Sequence, residues 1–171
     1  MEKLEFIKSK IVSGESLERI LSYWRFAGKK IVFTNGCFDI IHVGHTRYLK
    51  SARKLGDVLV VAVNSDVSVR GLKGPGRPVN PETDRMEVLS EFPFVDFVVK
   101  FNEATPFNVI KAVLPDALVK GGDWPVKNIV GGDFVIKNGG KVINIPFIKG
   151  RSTTKIIQKA GKKWTKKERK I

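Results

Sequence analysis

Six consecutive residues, Val58-Leu59-Val60-Val61-Ala62-Val63, carry no polar side chain. So short and valine-rich a run suits a strand buried on both faces, as at the centre of a parallel sheet. Four further segments read as strands: 31–33, 95–99, 117–120 and 142–145. Between them the apolar spacing turns helical. Residues 16–27 place Leu17, Ile20, Leu21 and Trp24 on one face before Gly28, and Tyr48, Leu49 and Ala52 follow His42 in the same way. Segments 81–92, 106–113 and 134–138 complete the helices. This alternation predicts an α/β fold with a doubly wound sheet of five parallel strands, and 171 residues suffice for one such domain.

Ligands of such sheets gather beyond the C-terminal strand ends, so the residues that follow each strand carry the functional reading. The first strand runs into Thr34-Asn35-Gly36, and His42-Val43-Gly44-His45 then opens a helix. A helix start offers unpaired N–H groups and the positive end of its dipole to an anion. Gly44 leaves the backbone open to a phosphate, and imidazoles three residues apart can both donate N–H to it. Two other readings stay open. The histidines can be incidental, or they can join Asp39 as metal ligands, although no further His or second Cys completes a zinc set. Cys37 is the one candidate for covalent chemistry, which would also require a place for an oxyanion and a leaving group.

The second strand ends in Asn64-Ser65-Asp66, and 71–78 reads as a glycine/proline loop bearing Lys73 and Arg77. That loop either closes on a triphosphate or simply connects. Arg85, in the next helix, can reach a phosphate or pair with an acid. The fourth strand ends in Lys120-Gly121-Gly122-Asp123-Trp124, and Gly150-Arg151-Ser152-Thr153-Thr154 precedes a last helix. One hydroxyl suffices as a cap. The others, with Arg151 and the free N–H groups, make a second anion site. Two helix N-termini on one sheet edge, with Lys73, can hold a nucleoside triphosphate for in-line attack on its α-phosphorus, a reaction that needs positioning and charge neutralisation more than a nucleophile.

The formal net charge of +14 concentrates at one end: residues 149–171 hold ten Lys/Arg against one Glu, whereas the remaining residues carry 21 basic against 16 acidic. The excess is a tail and not a basic face, so a nucleic-acid partner is not expected. No apolar run approaches the roughly 18 residues of a membrane span, MEKLEFIKSK lacks the apolar stretch of a secretion signal, and a single cysteine excludes an internal disulfide. A cytoplasmic location is expected. The chain divides into a helical extension at 1–28 packed on the core, the main domain at 29–161 and a basic tail at 162–171.

The stretch TNGCFDIIHVGH resembles the HxGH motif of the nucleotidyltransferase superfamily, which includes the cytidylyltransferases. With VAVNSDVSVRGLKGPGRPVNPETDRMEVL, LVKGGDW, IVGGDFV and GRSTTKII, the chain from about residue 10 to 157 is similar to the adenylyltransferase domain of the bifunctional heptose kinase/adenylyltransferases. The resemblance implies a Rossmann-like fold. It also implies transfer of AMP from ATP to D-glycero-β-D-manno-heptose 1-phosphate, giving ADP-heptose for lipopolysaccharide core synthesis.

By the same resemblance His42, His45 and Lys73 are catalytic. Thr34, Asn35, Gly36, Phe38, Asp39, Gly44, Gly122, Asp123, Arg151, Ser152, Thr153 and Thr154 surround the nucleotide, and Asn64, Asp66 and Arg85 lie toward the substrate. Mg²⁺ is expected with the ATP, with few or no protein ligands. ATP and a sugar 1-phosphate are the expected partners, and a homodimer stays open. The choice of ATP over CTP rests on the VKGGDW and GRSTTKII regions alone. The rivals are another HxGH transferase, such as a glycerol-phosphate cytidylyltransferase or an FAD synthetase-like enzyme, and a non-catalytic nucleotide- or RNA-binding module.

Overall fold

A computed structural model describes residues 5, 7, 9–122, 124–146 and 152–168, with the side chains of 162–168 outside that description. The apolar runs become β2 (Ile31–Gly36), β3 (Val58–Asn64), β4 (Phe97–Phe101), β5 (Ala117–Gly121) and β6 (Lys141–Ile145). A further short strand, β1 (Ile11–Val12), pairs with β4. The sheet is parallel throughout, in the order β1-β4-β3-β2-β5-β6. The doubly wound architecture is as expected, but among the described residues the strands number six and not five. Two residues give no readable alternation, so only pairing to β4 reveals β1 as a strand. The segment read as a helical extension therefore also supplies the edge of the sheet.

The helices are α1 (Gly14–Phe26), α2 (Val43–Arg53), α3 (Asp66–Lys73), α4 (Glu82–Ser90), α5 (Phe107–Val113), α6 (Gly132–Lys137) and α7 (Thr153–Glu168). They bury the sheet from both sides. Leu17 and Leu21 of α1, Ile110 and Val113 of α5 and Val135 of α6 pack with Phe33, Val60 and Leu118. On the opposite face, Leu49 and Ala52 of α2 and Met86 and Leu89 of α4 pack with Val32, Leu59, Val61 and Val119. β3 is buried along its whole length because both layers cover it.

Two sequence expectations are corrected here. The third strand lies at 97–101, two residues later than read, because the Asp96 carboxylate accepts the Leu59 N–H at 2.7 Å and ends the preceding turn there. The glycine/proline loop is shorter than read, because Gly71 and Lys73 belong to α3. Ser65 caps that helix by accepting from the Ser68 N–H, Val69 is buried against the sheet, and Gly74 at φ 86° ends it.

Candidate nucleotide site

The chain reverses its direction of travel across the sheet between β2 and β5, which places the C-terminal end of β2 beside a crevice. Beyond β2, Phe38 adopts a left-handed backbone (φ 47°), uncommon for a bulky residue. Its ring packs edge-on against His45, with centroids 5.4 Å apart. A β-carbon at position 36 would stand 3.1 Å from that ring, a tight contact that glycine avoids.

His42 is the N-cap of α2 and accepts the Gly44 N–H on Nδ1 at 3.1 Å. In the neutral ring this leaves the proton on Nε2, a hydrogen-bond donor. His45 stacks on His42 with centroids 4.0 Å apart and planes 20° off parallel. Burial first, and His42 second, push the His45 pKa down to about 4, so the His45 ring is neutral near pH 7. His45 Nδ1 is buried without a hydrogen-bond partner. An orphaned polar atom of this kind costs free energy until a hydrogen-bond partner meets it.

α7 begins against this motif. The Thr153 hydroxyl donates to the Ile40 carbonyl at 3.2 Å, and Ser152 caps the helix by accepting the Lys155 N–H. Thr154 is exposed. The imidazole pair and the hydroxyl-rich helix start therefore meet at one edge of the sheet. Arg151 and Asp123, both expected at the nucleotide, lie outside the described residues, and Gly122, just past β5, donates its N–H to the Ile145 carbonyl.

Several expected contact residues are committed to the protein itself. Asp39 is 3% exposed. It accepts the N–H groups of Val79 and Asn80 on one oxygen and Arg77 Nε at 2.6 Å on the other. Burial works to raise its pKa, but those bonds outweigh it and hold the carboxyl below its ordinary range. Asp39 thus holds the 77–80 loop to the turn after β2, with both carboxylate oxygens engaged by the protein. Arg85 is likewise engaged within the protein. Its side chain is fully buried and donates to the carbonyls of Cys37, Asn64 and Asn80 and to Asp66 Oδ1 at 2.7 Å, so it ties turns together and does not reach outward. Asn64 is also buried, donating to Ser68, and Asp66 is Arg85's counter-ion. Lys73 is exposed in the last turn of α3, near enough to Cys37 to act on its titration. Burial raises the Cys37 pKa more than Lys73, Arg85 and Arg77 lower it, so the thiol stays protonated near neutrality.

The roles of Tyr48, Lys120 and Asn80 escape the sequence reading. Thr34 is fully buried and shares a 2.6 Å hydrogen bond with Tyr48, whose hydroxyl also donates to the Val119 carbonyl. The Tyr48 ring belongs to an apolar stripe, which hid the role of its hydroxyl. Lys120 donates to Asn35 Oδ1 at 2.6 Å. The signal for Lys120 was a cation at the end of an otherwise apolar strand. Asn80 has no signal in the sequence at all.

The family model for cytidylyltransferase-like domains matches residues 33–159. The bifunctional protein HldE of Wolinella succinogenes is 50% identical over 152 residues, 89% of this chain and 31% of its own length. HldE of Shewanella denitrificans is 55% identical over 148 residues, 86% of this chain and 31% of its own. The chain thus spans about a third of the curated relatives it matches. Among solved structures, a lipopolysaccharide core biosynthesis protein from Thermoplasma volcanium is 31% identical with TM-score 0.58, covering 72% of this chain and all of its own. A pantoate-beta-alanine ligase from Francisella tularensis, at 14% identity and TM-score 0.59 over 84% of this chain and 68% of its own, shares the fold.

Proposed function

The chain belongs to the cytidylyltransferase-like family, and from that premise we propose that it transfers AMP from ATP to D-glycero-β-D-manno-heptose 1-phosphate, releasing pyrophosphate and forming ADP-heptose. The observation that carries this reading is the contact of Thr153 with Ile40, which brings the second helix N-terminus to the imidazole pair. Identity of about 50% to the HldE relatives over most of this chain supports the substrate class, as does the likeness to a lipopolysaccharide core biosynthesis protein.

In this mechanism an oxygen of the sugar phosphate attacks the α-phosphorus of ATP in line, and the bond to the pyrophosphate oxygen breaks. His42, through Nε2–H, and neutral His45 donate hydrogen bonds to the α-phosphoryl oxygens as negative charge shifts onto the leaving group. The N-terminus of α7, with Ser152, Thr153 and Thr154, receives the β- and γ-phosphates. Lys73 adds positive charge from the end of α3. Mg²⁺ arrives with ATP as part of the substrate. Among the described residues no three His, Cys, Asp or Glu side chains gather to hold a metal, and Asp39 and Asp66 are paired with arginines, so the triphosphate supplies its main ligands.

The test is pyrophosphate release and product mass with ATP or CTP, each against the heptose phosphate, glycerol 3-phosphate and FMN. ATP with heptose phosphate is expected to be the productive pair. Turnover with CTP alone would overturn the assignment.

A further inference from the structure

Lys120 and Asn35 face each other where the sheet changes its direction of growth. Thr34 is in register with Val119, so Asn35 and Lys120, one residue further along, lie together on the other face, where Lys120 Nζ donates to Asn35 Oδ1. Lys120 is in turn the register partner of Asn144. The three side chains form a polar row across β2, β5 and β6 at their C-terminal ends, above a row of apolar residues, Phe33, Leu118 and Val142. Asn144 donates to the Trp124 carbonyl, and its Oδ1 is buried with no hydrogen-bond partner.

The ammonium of Lys120 is half-buried, and among the described residues no carboxylate pairs with it. Its hydrogen-bond partner is a neutral amide, so one of its three donors is used. The nearby arginines differ: Arg77 has Asp39, and Arg85 has Asp66. A desolvated cation without a counter-ion disfavours the folded state, and burial accordingly lowers the Lys120 pKa. An apolar side chain, as in the row below, would carry no such penalty. A cation kept in this condition at the crevice where ligands of such sheets bind is matched to an anion that none of the described residues supplies.

We propose that Lys120 touches substrate: held by Asn35, its ammonium binds phosphoryl oxygens of a ligand lying over the β2/β5 crevice. The phosphoryl group is that of ATP or of the sugar 1-phosphate, and the identity of the pair rests on the function proposed above. Asn144 Oδ1 stands on the same row as an acceptor for a hydroxyl or amino group of that ligand.

Calorimetric titration of ATP, and separately of the heptose 1-phosphate, into the unmutated chain, Lys120→Met and Lys120→Arg tests this without turnover. Lys120→Met is expected to weaken one of the two ligands about tenfold or more, to make its binding less sensitive to salt, and to leave the melting temperature unchanged or higher. Lys120→Arg recovers part of the affinity. The ligand that weakens identifies the source of the phosphate. Equal affinities for both ligands overturn the proposal, as does a weakening with unaltered salt sensitivity and a lowered melting temperature, which marks a purely structural residue. If the unmutated chain binds both ligands but makes no ADP-heptose, the functional reading fails while Lys120 is still decided. If it binds neither, both fall.

Discussion

Thr153 and Ile40, 113 residues apart in sequence, are joined by a hydrogen bond from the threonine hydroxyl to the isoleucine carbonyl at 3.2 Å. That bond holds the start of α7 two residues from His42. Thr153→Val keeps the shape and removes the donor. It is expected to lower kcat/KM for ATP about tenfold, with a melting temperature within a few degrees of the unmutated chain, because one half-buried bond contributes on the order of 1 kcal/mol to stability. Steady-state kinetics with a thermal melt decides it, and unchanged kinetics would separate α7 from the reaction.

His45→Ala is expected to reduce kcat by about 10²–10³, the size of effect seen when a preorganised donor to a transition-state oxygen is lost. Far-UV circular dichroism should not change. Normal turnover in this variant would remove the imidazole from the mechanism.

His45 also predicts a pH dependence of stability. Its folded pKa, about 4, lies below the ordinary 6.5, so the unfolded chain takes up the proton first on acidification. Stability associated with the neutral ring is fully present above about pH 6.5 and is lost as pH falls toward 4, by up to about 3 kcal/mol. Urea titrations from pH 7.5 to 4 should show a shallower loss in His45→Asn than in the unmutated chain. Parallel curves for the two proteins would mean that the ring protonates freely in the folded state.

Arg85→Met is expected to destabilise the fold by about 3–5 kcal/mol, because it leaves the carbonyls of Cys37, Asn64 and Asn80 without this donor and Asp66 without its cation. Asp66→Asn should cost less, since that carboxylate is 25% exposed and water can replace it. Chemical denaturation ranks the two, and the reverse order would mean that the charge of Asp66, not the buried guanidinium, holds the turns.

Most of the sheet was legible because runs such as Val58 to Val63 need no knowledge of their neighbours to read as buried strands. β1 was not, since Ile11 and Val12 become a strand only by pairing with Val98 and Val99. α3 was hidden by Gly71 and the Gly/Pro residues after it, although Ser65 and Asp66 were fair signs of a helix start. In the site, His42 and His45 were legible because their spacing alone sets them on one helix end. Arg85 and Asp39 were not. Their partners are backbone groups from turns far away in sequence, and nothing local distinguishes a cation that meets carbonyls from one that meets a phosphate.

Asp39 and Asn80 bind each other through both backbone and side chains, and Arg85 spans from the Asn80 carbonyl to that of Cys37. The loop after Gly74 and the turn after β2 are therefore mechanically one plate. The amides of Val79 and Asn80, though in neither helix nor strand, should exchange with deuterium as slowly as those of a regular element. Any displacement of that loop is thereby coupled to Phe38 and to the His45 ring it leans on, so loop position and imidazole alignment are one variable and not two.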